Sequence, residues 1–162
     1  MATDEHFEIP LIPASAGALI FDRRRRLLIL KPTYKAGWTI PGGMIEADGE
    51  SPWDACRREV LEETGLRVAR ARLAAVDFRP SKPGRVGGVR FLFDCGALSD
   101  AELAGVVVQP SEIEEFGLAD LEAALALLSG PIRRRVRAAA RRSRCVYLED
   151  GREVPGITPK SP

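Results

Sequence analysis

PGGMIEADGESPWDACRREVLEETGL, residues 41–66, is the stretch that decides the reading of this chain. It holds seven of the 23 acidic residues, and its second half carries helix punctuation. Ser51 is a favoured N-cap, Pro52 suits the first helical position and Gly65 suits the end. Asp54 stands where a capping-box acid belongs, although it is shorter than the usual Glu. The spacing predicts a helix over 51–64. At about 100° per residue, Glu59, Glu62 and Glu63 share one face. Trp53, Cys56, Val60 and Thr64 share another, with Leu61 at its edge. Carboxylates at i, i+3 and i+4 repel by about 0.2–0.5 kcal/mol per pair. Two of them also lie at the C-terminal end, where the helix dipole disfavours negative charge. Spacing alone leaves two explanations open. One is a solvated acidic face with Arg57 and Arg58 as partners. The other is a site for a hard cation, Mg²⁺ or Mn²⁺, which prefers oxygen ligands. The Gly42-Gly43 turn could add a backbone carbonyl, since glycine permits close approach.

Outward from this stretch, ASAGALIF (14–21) and LLILK (27–31) are apolar runs separated by DRRRR, which reads as a strand, a charged turn and a strand. KPTYKAG (31–37) is a loop and WTIPGG (38–43) a short strand. Long strands are expected at 72–80 and 88–98, joined through the turn formers of SKPGRVG. Residues 99–105 read as a polar connection and 112–119 as a further strand. Helices are expected over 119–129 and 132–143, and a small strand over 145–150. Interleaved strands and helices predict an α/β layered domain. The hairpin at 22–26 makes its sheet mixed. The expected division is a leader over 1–12, one domain over 13–154 and a flexible tail over 155–162.

Composition excludes several classes. The 162 residues carry a net charge of +1, with 45% hydrophobic and 29% charged residues. That is ordinary for one soluble domain, and the charge balance supplies no polyanion-binding coat. No apolar run is long enough to span a bilayer, and the acidic N-terminus lacks signal-peptide order. Cys56, Cys95 and Cys145 are widely spaced and odd in number, which points to small core residues in a reducing cytoplasm. His6 is the sole histidine, which excludes a His-based triad or a multi-His metal site.

The quoted stretch strongly resembles the signature of the Nudix hydrolase family. That signature is Gly, five residues, Glu, seven residues, then Arg-Glu, an aliphatic, any residue, Glu-Glu, any residue, Gly and an aliphatic. Here Glu50 is followed by SPWDACR and then by Arg58-Glu59-Val60-Leu61-Glu62-Glu63-Thr64-Gly65-Leu66, matching at every specified position. The flanking WTIPGG is also typical of the family. The resemblance implies an α/β/α sandwich with a mixed sheet. It implies hydrolysis of a diphosphate in a nucleoside diphosphate joined to another group, with Mg²⁺ (or Mn²⁺) as cofactor. It makes Glu59, Glu62 and Glu63 metal ligands, with the carbonyl of Gly43 as a further one, and has Arg58 hold Glu59 in position. Glu50 would brace the loop or the water shell of the metal. The general base is a signature Glu or an acid on a later loop, where Glu112 is the first choice and Glu114 and Glu115 follow. One departure stands out. Six residues, MIEADG, separate Gly43 from Glu50 where the pattern has five. The extra residue is expected to bulge the loop outward and leave the helix register intact.

Substrate clues are fewer. Lys31, Tyr34 and Lys35 lie on a loop that could reach phosphates or a base, and Arg90 could point into a cleft. Pro80, fifteen residues after Gly65, resembles a weak hallmark of ADP-ribose pyrophosphatases. Nucleoside triphosphates, ADP-sugars and dinucleotides all stay open. The expected partner is a nucleotide-type small molecule, with no membrane, and the reading allows a homodimer. IRRRVRAAARRSR (132–144) reads as a surface helix whose apolar stripe is Ile132, Val136, Ala139 and Ala140. A polyanion patch is the alternative, and a nucleic-acid partner is not expected.

Overall fold

β1 (Ala14–Phe21) and β2 (Leu27–Pro32) form the expected hairpin in a computed structural model that describes residues 11–157. Asp22 closes its tip by accepting from the backbone N and Nε of Arg26, both at 2.7 Å. The next strand is displaced from its expected place. Thr39 bridges Leu30, but Pro41 has no N–H to continue a ladder. Pairing resumes only at β3 (Gly42–Met44), antiparallel to the first half of β1.

α1 (Pro52–Thr64) starts and stops as its punctuation predicts. Ser51 Oγ accepts from the Asp54 backbone N at 3.1 Å, and Gly65 takes the left-handed conformation with its N–H on the Leu61 carbonyl. Asp54 is too short to reach back to the cap N–H and instead accepts from Ser51 Oγ at 2.7 Å. β4 (Arg72–Arg79) and β5 (Gly88–Ala97) pair antiparallel. The expected polar connection contains a short helix, α2 (Asp100–Ala104), with a full capping box of Ser99 and Glu102. β6 (Ile113–Ala119), α3 (Leu121–Leu127), α4 (Gly130–Ala139), β7 (Val146–Glu149) and β8 (Arg152–Glu153) complete the order. α4 begins earlier than expected because Pro131 opens the helix rather than breaking it.

The sheet runs β6-β2-β1-β5-β4-β7-β8, with β3 beside β1. β1/β5 and β4/β7 are parallel and the other pairs antiparallel, so the sheet is mixed. Alternation along β1 feeds two cores. Ala16, Ala18 and Ile20 pack with Cys56 and Val60 of α1. Leu19 and Phe21 pack on the other face with Leu125 of α3 and Val136 of α4. This is the α/β/α sandwich. Trp38 packs against the second core. No helix among the described residues is long and apolar enough to cross a membrane. Residues 1–10 of the expected leader, with His6, and 158–162 of the expected tail lie outside the described residues.

Candidate active site

β3 and α1 meet at the glycine pair. The Gly42 backbone N donates to Glu63 Oε2 at 2.8 Å. Glu63 is only 3% exposed, an unusual burial for a carboxylate. Gly42 has φ +141, and a Cβ there would strike the backbone of Ala16 and Gly17. At Gly43 a Cβ would overlap the carboxylate of Glu59. Glycine is required twice, once for the turn and once for the approach of Glu59.

Arg58 ties the surrounding acids together. Its Nε and Nη2 donate to the two oxygens of Glu50 at 2.8 and 3.0 Å. Its Nη1 donates to Glu59 at 2.9 Å and to Glu62 at 3.1 Å, and Nη2 also reaches the Met44 carbonyl at 3.0 Å. Such charge-assisted bonds fix geometry as well as energy. Arg58 holds the Glu50 carboxyl below the usual range, with a bond from the Glu46 N–H adding to it. The loop with the additional residue bulges outward as expected. Residues 46–49 are all exposed, while Glu50 stays fastened to Arg58 and accepts from the Glu46 N–H at 2.9 Å.

Burial pushes the Glu63 carboxyl up to about 8, opposed by the Gly42 N–H and reinforced by the charges of Glu59 and Glu112. Burial also raises Glu59, against the pull of Arg58. Glu112, exposed just before β6, is therefore the later-loop acid whose charge acts on both. Glu114 and Glu115 instead pair with Lys31 Nζ at 2.9 and 3.5 Å.

Beside the glycine pair lies a cavity of about 260 Å³. Tyr34, Lys35 and Arg90 line it, along with Gly42 and Gly43. Lys31 does not, because its ammonium is held by the two β6 carboxylates. Burial lowers the Lys35 ammonium while the Glu63 carboxylate opposes that shift. Burial, with the charges of Glu63, Glu112 and Glu59, raises the Tyr34 phenol.

The donor set suits a hard divalent cation. All its donors are oxygens, and the buried Glu63 and partly buried Glu59 are carboxylates whose ionisation is costly without a nearby cation. Among the described residues no three acidic, His or Cys side chains converge closely enough to hold an ion as they stand. Glu59 and Glu62 are both turned towards Arg58, and Glu63 towards the Gly42 N–H.

The profile of the NUDIX domain family matches residues 11–140. The chain belongs to the Nudix family. Over 67 residues it is 37% identical to a MutT-like protein from Streptomyces ambofaciens, covering 41% of this chain and 43% of that protein. Over 60 residues it is 42% identical to an RNA pyrophosphohydrolase from Bartonella bacilliformis, covering 32% of this chain and 35% of that one. The matched stretch thus spans less than half the length of these curated relatives. The crystal structure of a MutT protein from Methanosarcina mazei Go1 superposes with a TM-score of 0.60 at 27% identity, over 75% of this chain and 86% of that one.

Two further residues of this Nudix domain's cavity, Arg79 and Arg135, were not among the sequence candidates. Arg135 was hidden in the basic helix that reads as solvated. It is instead buried, and its Nε and Nη2 donate to Asp77 Oδ2 at 2.9 and 2.8 Å. Its neighbours on α4 are also engaged. Arg134 pairs with Asp150, and Arg133 bonds the Leu128 carbonyl.

Proposed function

We propose that this Nudix domain is a metal-dependent pyrophosphohydrolase that cleaves a diphosphate in a nucleoside diphosphate joined to another group. Nucleoside triphosphates, ADP-sugars and dinucleotides are its candidate substrates. The observation that carries this reading is the clasp of Glu59 and Glu63 against Gly42 and Gly43, at the wall of a cavity that Tyr34, Lys35 and Arg90 also line. Two partly desolvated carboxylates held side by side cost stability, and a purely structural site has no need of them.

Glu59, Glu62 and Glu63, with the Gly43 carbonyl, would hold Mg²⁺ or Mn²⁺. When bound, such an ion neutralises diphosphate charge and lowers the pKa of an attacking water. Arg58 keeps Glu59 aimed at Gly43 and holds the loop through Glu50. Lys35 offers positive charge to the diphosphate, Tyr34 offers a hydroxyl and a ring face, and Arg90 is a further substrate contact along the cavity wall. Glu112 accepts the proton from the water, being the later-loop acid that acts on Glu59 and Glu63 without being claimed by Lys31. The free cysteines suit a reducing cytoplasm.

The test is a panel of nucleotides incubated with Mg²⁺ or Mn²⁺, with the products identified. We expect cleavage at a diphosphate and its loss in the Glu62→Gln, Glu63→Gln double variant. Equal turnover by wild type and double variant would remove the site assignment, and no cleavage of any diphosphate would remove the hydrolase reading.

A further inference from the structure

The cavity has two electrically different ends. Carboxylates stand behind Gly42 and Gly43 at one, and Arg79, Arg90 and Arg135 line the other. Sheet register places these groups. Met44, Ser15, Arg90 and Asp77 are successive cross-strand partners on β3, β1, β5 and β4, and such partners share a face. Arg79 lies two residues beyond Asp77, so it shares that face too. Its own partner across the ladder is Gly88. A Cβ at Gly88 would stand 2.7 Å from Arg90 Nη1. The Arg90 guanidinium therefore folds back over Gly88, beside Arg79.

Among the described residues, the carboxylates do not neutralise this corner. Asp77 is fully buried and is already used, by Arg135 and by the Gly151 N–H at 2.8 Å. Asp150 is the other carboxylate at hand. It is shared among Arg134 at 3.1 Å, Arg85 and Arg152 at 3.7 Å and Arg79 at 3.8 Å. Among the described residues, the buried Arg79 Nε makes no hydrogen bond, and the Arg90 guanidinium has only backbone carbonyls at 3.2–3.4 Å. Burial and the neighbouring guanidinium groups push both arginines below their ordinary range. Arg79, Arg90 and Arg135 line the cavity, and among the described residues only Asp77 and Asp150 pair with them, which leaves a surplus of positive charge at its wall.

We propose that this corner binds a phosphate monoester that the substrate carries in addition to its scissile diphosphate, so that the preferred substrates are small diphosphates bearing a further phosphate. The inference rests on the hydrolase reading for the diphosphate end. Strand spacing separates β3 from β5 by roughly 10 Å and from β4 by roughly 14 Å. One diphosphate is too short to lie against the glycine pair and the arginine corner at once. Planar guanidinium groups suit the oxygens of a phosphate, and a base pocket would have no use for buried surplus charge.

The test uses product-like ligands that have no diphosphate to cleave. AMP, adenosine 2′,5′-bisphosphate and adenosine 3′,5′-bisphosphate are titrated calorimetrically into the wild type in Mg²⁺ buffer. We expect one bisphosphate to bind about tenfold or more tightly than AMP, the size of one good charge-assisted contact. Arg79→Gln and Arg90→Gln should each bring that ratio close to one, and Arg79→Lys should keep part of it. Melting curves identify any variant that fails to fold, and the other variant then decides. A ratio near one in the wild type overturns the inference, and so does a gain that survives both Gln variants. Neither result touches the hydrolase reading, which the nucleotide panel tests separately. A protein that selects the bisphosphate and cleaves nothing would keep the corner and lose the enzyme.

Discussion

Without divalent cations, the protein should lose stability as the pH rises from about 5 to 8, and Glu63→Gln should remove most of that loss. The Glu63 carboxyl sits at about 8 in the fold against an ordinary 4.5, because it is buried and faces Glu59 and Glu112. Between those two values the unfolded chain has released the proton while the folded chain retains it. The folded state then binds more protons, so stability falls with rising pH across this window and levels off above it. Every tenfold gain in proton affinity on folding is worth about 1.4 kcal/mol, which sets a ceiling of roughly 4–5 kcal/mol. Side-chain relaxation towards Lys35 brings the expected loss to about 2–3 kcal/mol, or about 5–10 °C in Tm for a chain this size. Gln at 63 keeps an acceptor for the Gly42 N–H and removes the titration. The assay is thermal melting in EDTA at about pH 5, 6, 7 and 8 for both proteins. A cation competes with the same proton, so Mg²⁺ should raise the wild-type Tm more at pH 8 than at pH 6. Parallel wild-type and Glu63→Gln curves across the window would refute the reasoning.

Gly43→Ala should displace the Glu59 carboxylate, costing about 1–3 kcal/mol in urea unfolding and most of any pyrophosphohydrolase activity. Arg58→Lys should retain the charge but lose the fork that grips Glu50 while reaching Glu59. It should cost about 1–2 kcal/mol in Tm-derived stability and lower kcat/KM about tenfold or more on a diphosphate substrate. Arg135→Met should leave Asp77 charged and buried, destabilising by about 3–5 kcal/mol in denaturant titration. The Asp77→Asn, Arg135→Met double variant should recover much of that loss.

The parts of the fold with local punctuation were legible in the sequence. Ser51, Pro52 and Gly65 bound α1 because capping is decided within one turn of chain. The added residue in MIEADG reads as a loop insertion because the signature runs unbroken from Glu50 onward, and in the fold Glu50 is fastened to Arg58. What long-range pairing decides was not legible. WTIPGG alternates well enough to suggest one strand, but Thr39 pairs with Leu30 of β2 while Pro41, through its carbonyl, and Gly42 pair with β1. Glu63 looked like one of three equivalent acids on a helical stripe. Only the arrival of β3 buries it and separates it from the half-exposed Glu62. Lys31 reads as a loop lysine able to reach phosphates or stay solvated, and only long-range pairing shows β6 bringing Glu114 and Glu115 alongside it.

The arginine corner left a signal that composition hid. Ile132, Arg135, Val136 and Ala139 occupy the i, i+3, i+4 and i+7 positions of one apolar stripe, so Arg135 is a charge on the buried side of α4. Among neighbouring arginines it passed for one more solvated residue. Ala75, Asp77 and Arg79 likewise alternate along one face of β4, and Arg90 joins that face across the ladder. A charge on a face meant for the core requires a counter-charge or a ligand. Asp77 answers Arg135, across 58 positions of chain. Asp150 is divided among four arginines, stands 3.8 Å from Arg79 and, among the described residues, makes no ion pair with Arg90. The imbalance lies on one face of one sheet and beside a cavity, which is why the missing negative charge is best assigned to what the cavity binds.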